Sequence, residues 1–326
     1  MDYSDPNQNP VEASKPNWER QIIEKLAFEA LREQKARRRW SIFFKSLFLG
    51  LALFVVYHIV RLDNEEVENL GPHTALVEVE GTIDSEGNAS AKAIIPALNR
   101  AFADEGAVGV VMKMNSPGGS PVQAGLIADE IFRLRKAYPA KKLYVVVEEI
   151  CASGGYYIAA AADEIYVNKA SIVGSIGVLM DGFGFTGLME KLGVERRLMT
   201  AGENKGFMDP FSQQTDKQKE HTQAMLNDIH QQFIDVVRTG RGKRLKETPE
   251  MFSGLFWTGN KAVELGLADA YGSVEMVARE VIKAENIYDY TQKEGLPERV
   301  LKKFGASVGQ GAFSSLVKPA MPLLKH

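Results

Sequence analysis

A strand that runs straight into a serine-centred turn and then an alanine-rich helix leaves a chain few ways to fold. One such stretch begins at Leu143: the apolar run Leu143-Tyr144-Val145-Val146-Val147 leads into Cys151-Ala152-Ser153-Gly154-Gly155-Tyr156-Tyr157-Ile158-Ala159-Ala160-Ala161-Ala162. The valine run reads as a buried strand and the alanines as a helix. Small residues between them allow a tight turn and close packing of the helix on the strand. A serine at such a turn displays its hydroxyl, and the N–H of the next residue points toward any carbonyl that the hydroxyl attacks. Ser153 is therefore the candidate nucleophile and Gly154 a candidate oxyanion donor. Cys151 is the chain's single cysteine; a thiol nucleophile is the alternative, and a small buried side chain at a strand end is the simpler reading. One cysteine also excludes an intrachain disulfide and a cysteine-built metal cluster.

The same alternation runs on either side. Strands are expected at 75–81, 108–114 and 143–147, and helices at 91–103, at 121–138 and from Ser153. Ser120 is placed to cap the second helix, and Pro121 suits its first position. Strands alternating with helices at this spacing imply an α/β fold with a largely parallel sheet, in which ligands bind at the carboxyl ends of the strands. Both Ser153 and the loop Asn115-Ser116-Pro117-Gly118-Gly119-Ser120 fall at such ends. Further on, short strands are expected at 165–167, 174–178, 195–199 and around 288–290, and helices at 185–192, 216–238, 261–267 and 274–285. The stripe Met225, Leu226, Ile229, Phe233, Val236 and Val237 reads as core or subunit interface. No internal repeat is evident.

The amino-terminal part follows different rules. Residues 1–17 are polar and proline-rich and read as disordered, and 18–39 as an amphipathic helix, together forming a cytoplasmic segment over 1–40. From Ser41 to Val60 the only charge is Lys45, so residues 41–61 are expected to form a transmembrane anchor, followed by a linker over 62–72. Lys35, Arg37, Arg38 and Arg39 precede the run and Asp63, Glu65, Glu66 and Glu68 follow it. The positive-inside rule then puts the amino terminus in the cytoplasm and everything after the run outside the cytoplasmic membrane. The formal net charge of -3 gives no reason to expect nucleic acid as a partner.

Serine chemistry needs a group to take the hydroxyl proton and donors for the oxyanion. Gly118-Gly119 lets a second backbone N–H approach at the start of helix 121–138, although this segment taken alone is also an ordinary turn and helix cap. The base is histidine or lysine. Of the histidines, His58 falls in the apolar run, His326 is terminal, His73 opens the domain, and His221 and His230 share the long amphipathic helix. Lys205 stands in the small, polar loop Gly202-Glu203-Asn204-Lys205-Gly206. A free lysine titrates near 10.4, so service as a base at neutral pH needs desolvation worth roughly 3 to 4 kcal/mol, supplied by substrate binding or assembly. No metal or nucleotide site is suggested: acids and histidines lack ligand spacing, and the glycine loops lack a lysine-serine pair.

Taken together and in order, the Asn115–Ser120 loop, the Cys151–Ala159 stretch, Ser171-Ile172-Val173-Gly174-Ser175-Ile176-Gly177 and the segment from Gly202 to Phe211 behind one anchor resemble signal peptide peptidase A in its short, single-unit form. The resemblance spans residues 73–290. It implies a membrane-bound serine-lysine peptidase of the crotonase-like or Clp-protease-like fold, with repeated β-β-α units and no cofactor. It places the nucleophile on Ser153, the general base on Lys205 and the oxyanion hole on Gly154 and Gly119. It further implies a ring-like homo-oligomer that degrades cleaved signal peptides and other unfolded segments, held in the inner membrane with its catalytic domain on the periplasmic side. Residues 291–326 read as a tail which, rich in glycine, serine and proline from Ser307, is either mobile or draped on a neighbouring subunit at an interface. Ser175, in a glycine-flanked turn, is a candidate for orienting the lysine or a plain turn serine. The competing readings are an acyl-thioester enzyme of the wider crotonase class, an inactive membrane scaffold, and a histidine-based triad.

Overall fold

The computed structural model describes residues 18–63 and 71–291. The chain divides into two compact units, Met1–Glu68 and Asn69–His326. In the first, one unbroken helix, α1 (Trp18–Asp63), takes in both the expected amphipathic segment and the expected anchor. Among the described residues no helix is long and apolar enough to cross a membrane, so the transmembrane reading of 41–61 finds no support here. The side chains of Val56 and of residues 58–60, within the expected anchor, lie outside the described ones. The disorder expected at 1–17, most of the linker and the tail beyond 291 lie outside the described residues.

The second unit contains the parallel α/β fold. Its elements are β1 (His73–Glu80), α2 (Ala91–Ala103), β2 (Ala107–Ser116), α3 (Pro121–Ala137), β3 (Leu143–Ala152), α4 (Gly154–Ala160), β4 (Glu164–Val167) and β5 (Ile172–Gly174). There follow α5 (Thr186–Leu192), α6 (Asp216–Arg241), β6 (Phe256–Thr258), α7 (Gly259–Leu265), β7 (Ala270–Tyr271), α8 (Val274–Met276) with a π-helical turn over Val277–Ile282, and β8 (Ile287–Asp289). The sheet order is β6-β5-β3-β2-β1-β8, with β4 joined to β3 and β7 to β4. Every pairing is parallel except β5 with β6.

The sheet is covered on both faces, as a parallel sheet requires. Ile94, Leu98 and Phe102 of α2, Ile127 and Ile131 of α3 and Ile158 of α4 pack into one core with Val77, Val110 and Val145. Each large side chain removed from water there contributes about 1.5–3 kcal/mol. Val111, Tyr144 and Val146 pack on the other face with Val274, Val277 and Ile282.

The site is positioned by β3. Its first half pairs with β4 (Tyr144↔Glu164 to Val146↔Tyr166), whereas its last residues pair with β5 (Ile150↔Ile172 to Ala152↔Gly174). Between the two, the register against β2 jumps from Met114↔Val147 to Ser116↔Cys151. Extra residues in one strand bend it locally, and the bend carries the end of β3 away from β4 and onto β5.

Three expected elements differ. Residues 195–199 form no strand; all are exposed and lack a partner strand. The strand expected at 174–178 lies instead at 172–174, because Ser175 takes a positive φ that ends it. The helix expected over 274–285 is one α-turn followed by the π-turn, stopped by Lys283 at φ 63°.

Candidate active site

Ser153 stands between β3 and α4 at φ 51°, ψ −123°. A non-glycine residue there is strained by roughly 1–3 kcal/mol. The strain is held by bonds on both sides: Ser153 N–H donates to the Gly174 carbonyl at 2.9 Å, and its carbonyl accepts from Tyr157 N–H at 2.9 Å. The elbow leaves Ser153 half-buried and reachable while Cys151 and Ala152 before it and Gly154 after it are buried. As the first residue of α4, Gly154 has no carbonyl within the helix to receive its N–H.

The glycine loop after β2 lies directly against this elbow. A Cβ on Gly118 (φ 101°) would stand 2.7 Å from both Gly154 N and Ser153 Cβ, and one on Gly154 would stand 3.3 Å from Gly119 N. Gly119 is closed in from its other side, since a Cβ there would meet the Ile83 carbonyl at 2.1 Å. The neighbouring backbone groups are committed, with Ile83 N–H donating to Gly118 O at 2.9 Å and Ser120 N–H to Ile83 O at 2.8 Å. Gly119 N–H, on an exposed glycine, donates to no backbone acceptor among the described residues. Two N–H groups without a backbone acceptor among the described residues thus sit side by side next to one accessible hydroxyl.

A cavity of about 730 Å³ opens over them, bordered by Ser153, Gly154, Gly119 and Ser175 and walled by apolar side chains that include Tyr157 and Phe233. The rings of those two meet at 5.1 Å, and burial pushes the Tyr157 hydroxyl upward, with the Asp129 charge acting the same way. Ser175 repeats the setting of Ser153: φ is 51°, and its N–H donates to the Leu255 carbonyl at 2.8 Å.

Four of the five expected site residues, Ser153, Gly154, Gly119 and Ser175, therefore come together. Lys205 does not join them. It lies in an exposed turn, its N–H bonded to the Gly202 carbonyl at 3.1 Å, with no ion-pair partner among the described residues, and it is absent from the cavity lining. No histidine lines the cavity either. His73 is buried against the Tyr290 hydroxyl at 2.9 Å, His230 Nε2 lies 3.1 Å from the Ile176 carbonyl, and exposed His221 meets the Phe207 ring at 5.9 Å. Cys151 is fully buried and burial pushes its thiol up, which excludes it as a nucleophile.

The walls of the cavity carry no signature in the sequence. Tyr157 is one helical turn beyond Ser153 on α4 and so faces the same space. Leu226, Ile229 and Phe233 of α6 were read only as core or interface, and the structure puts them on the cavity wall.

Residues 135–287 match peptidase family S49. Over 203 residues the chain is 32% identical to a protein of Synechocystis sp. named "Putative protease", covering 62% of this chain and 70% of that one. It is 32% identical over 194 residues to the "Putative signal peptide peptidase SppA" of Enterococcus faecium, covering 60% of this chain and 56% of the other. A stretch of 182 residues is 48% identical to part of the "Na(+)/H(+) antiporter NhaA" of Brucella abortus, covering 56% of this chain and 25% of that protein. The chain thus spans a quarter to seven-tenths of the relatives it matches.

Proposed function

Because the chain belongs to peptidase family S49, we propose that it is a serine endopeptidase whose nucleophile is Ser153. The observation that carries this reading is the accessible Ser153 hydroxyl, held on a strained elbow beside the N–H groups of Gly154 and Gly119, neither with a backbone acceptor among the described residues. In the proposed reaction a base takes the Ser153 proton and Oγ bonds to the peptide carbonyl carbon. The negative oxygen is received by the two N–H groups, and the amine leaves with the proton. Water, deprotonated by the same base, then releases the acyl group and restores the hydroxyl.

The base proposed is Lys205. It stands in the segment between β5 and α6, which presents Leu179, Phe183, Leu192 and Met199 to solvent, Met199 at 94%. Burying that arm against a second copy of the chain would desolvate the lysine as it is brought to a serine. This supports an assembled, ring-like enzyme of the crotonase-like or Clp-protease-like fold over a lysine acting in a lone subunit, with Ser175 as the residue that orients the amine. The apolar cavity suits unfolded, apolar segments such as cleaved signal peptides. Attachment to the inner membrane through 41–61, with the catalytic domain on the periplasmic side, belongs to the same reading, supported by the apolar run after a basic cluster.

The test is hydrolysis of a fluorogenic peptide, with fluorophosphonate labelling, by the full chain and by Ser153→Ala and Lys205→Ala. Loss of both signals in Ser153→Ala, with an unchanged melting temperature, is expected. Lys205→Ala should lose hydrolysis across the pH range. Substantial turnover in the folded Ser153→Ala variant would sink the nucleophile, and survival of activity in Lys205→Ala would move the base elsewhere.

A further inference from the structure

Ser116 ends β2, one residue before Pro117, and enters no step of the reaction above. Its side chain is 0% exposed, and its hydroxyl makes two bonds. It donates to the Gly81 carbonyl at 2.6 Å and accepts from Gly118 N–H at 3.1 Å. A carbonyl only accepts and an N–H only donates, so the single hydroxyl proton has one possible place. Gly81 is itself tied to the same strand, its N–H donating to Asn115 O at 2.9 Å. On the far side Ser116 touches the nucleophile helix, since a Cβ on Gly155 would stand 3.1 Å from the Ser116 carbonyl oxygen and 3.4 Å from its Cβ. One buried serine therefore joins the end of β1, the glycine loop and the start of α4.

The consequence lies in the peptide planes of the loop. Gly118 and Gly119 have φ of 101° and 147°, a region that glycine enters without a side chain to hold it there. Their orientation is set by hydrogen bonds and by the close packing of neighbouring backbone. Ser116 fixes the Pro117–Gly118 plane through Gly118 N–H, and Ile83 N–H fixes the next plane through Gly118 O at 2.9 Å. In a trans peptide the C=O and the N–H point in opposite directions. Anchoring Gly118 O on Ile83 therefore turns Gly119 N–H the other way, toward the side where Gly154 N lies.

We infer that Ser116 is a positioning residue for the oxyanion loop, holding the Gly118 backbone so that Gly119 N–H meets the charge developing on the substrate carbonyl. The inference rests on the peptidase reading above. Removing the hydroxyl leaves Gly118 N–H buried without a partner and frees the first plane to rotate, so that the Ile83 contact to Gly118 O is left alone to aim the donor in the second and holds it less well.

The experiment is steady-state hydrolysis of a fluorogenic peptide by the full chain, its Ser116→Ala and Ser116→Cys variants, and inhibition of each by the matching peptide aldehyde, whose adduct carries an oxygen in the same hole. Losing an oxyanion donor outright costs about 100- to 1,000-fold in kcat, so a misaimed one should cost Ser116→Ala about 10- to 100-fold. KM should stay within about twofold and aldehyde affinity should fall in step with kcat/KM. Ser116→Cys, with a weak donor and acceptor in place of the hydroxyl, should fall between. A folded Ser116→Ala with kcat and aldehyde affinity within about twofold of the unchanged chain overturns the inference. Should Ser116→Ala not fold, Ser116→Cys decides: parallel loss of kcat/KM and aldehyde affinity supports the role, and a lower melting temperature with unchanged kinetics overturns it. An unchanged chain that hydrolyses nothing, or hydrolysis that persists in Ser153→Ala, overturns the peptidase reading and this inference with it.

Discussion

Ser153 and Ser175 share a backbone setting that their side chains disfavour, with φ of 51° at both, and each is pinned by its own N–H to a carbonyl of a neighbouring strand or loop. Small residues around Ser153 made its turn legible in the sequence, because a strand and a helix that close together leave nothing else between them. Ser116 was not legible in the same way: its partners are the backbone of Gly81, just beyond β1, and of Gly118 in the glycine loop, and no spacing in the sequence encodes them. Lys205 was singled out by resemblance, and the fold of one subunit leaves it outside the cavity. Elsewhere, Asp104 ties the domain's first helix to its last strand. Burial would raise its carboxyl, but the Tyr290 hydroxyl, Gly106 N–H and the charges of His73 and Lys141 outweigh burial and hold it below the usual range. A carboxyl depressed in the folded state adds stability that is present above the ordinary aspartate value of about 3.9 and is lost as pH falls from there through the folded value. Thermal melts should show Asp104→Asn well below the unchanged chain at pH 7, with the gap closing as pH drops below about 4. A gap that stays constant with pH would show that the carboxylate is not the source.

The long, patterned elements are legible in the sequence. Helix 91–103 was expected at its observed bounds, and α3 and α6 were found to within a few residues, because capping serines and threonines mark their starts. The two- and three-residue strands β6 and β7 could not be read, since their existence depends on β5 and β4 as templates. Nor does periodicity report how two helices cross. A Cβ on Gly240 of α6 would stand 1.8 Å from the Ala160 carbonyl oxygen of α4, so this crossing is closed to any side chain. Gly240→Ala gains up to about 1 kcal/mol of helix propensity but overpacks the contact by about 1–3 kcal/mol or more, and a net fall in melting temperature is expected. Gly125→Ala on α3 is the control: its nearest neighbour would be the Tyr157 hydroxyl at 4.0 Å, so propensity should win and melting should rise or hold. Equal effects at the two positions would remove the packing explanation.

At the scale of the whole molecule, the arm between β5 and α6 is the part proposed to meet a second copy. Helix α5 buries none of its residues, and Leu188 and Leu192 on it are exposed, the kind of apolar surface that an interaction site uses. Light scattering should find the unchanged chain as an oligomer and the double variant Leu192→Glu/Met199→Glu as a smaller species, with peptide hydrolysis falling alongside. Unchanged mass in the double variant would exclude the arm as the contact. The cavity has a further property that follows from where its lining lies along the chain. Its walls are drawn from residues 117–121, 153–157, 175–180, 226–233 and 253–254, and Ser175 is held by Leu255. A ribosome that has released only the first two hundred residues has therefore made the proposed nucleophile but not the room around it. The chain passes through most of its own synthesis without a finished cavity; if it is a peptidase, that is a latency that needs no inhibitory segment because the order of translation provides it.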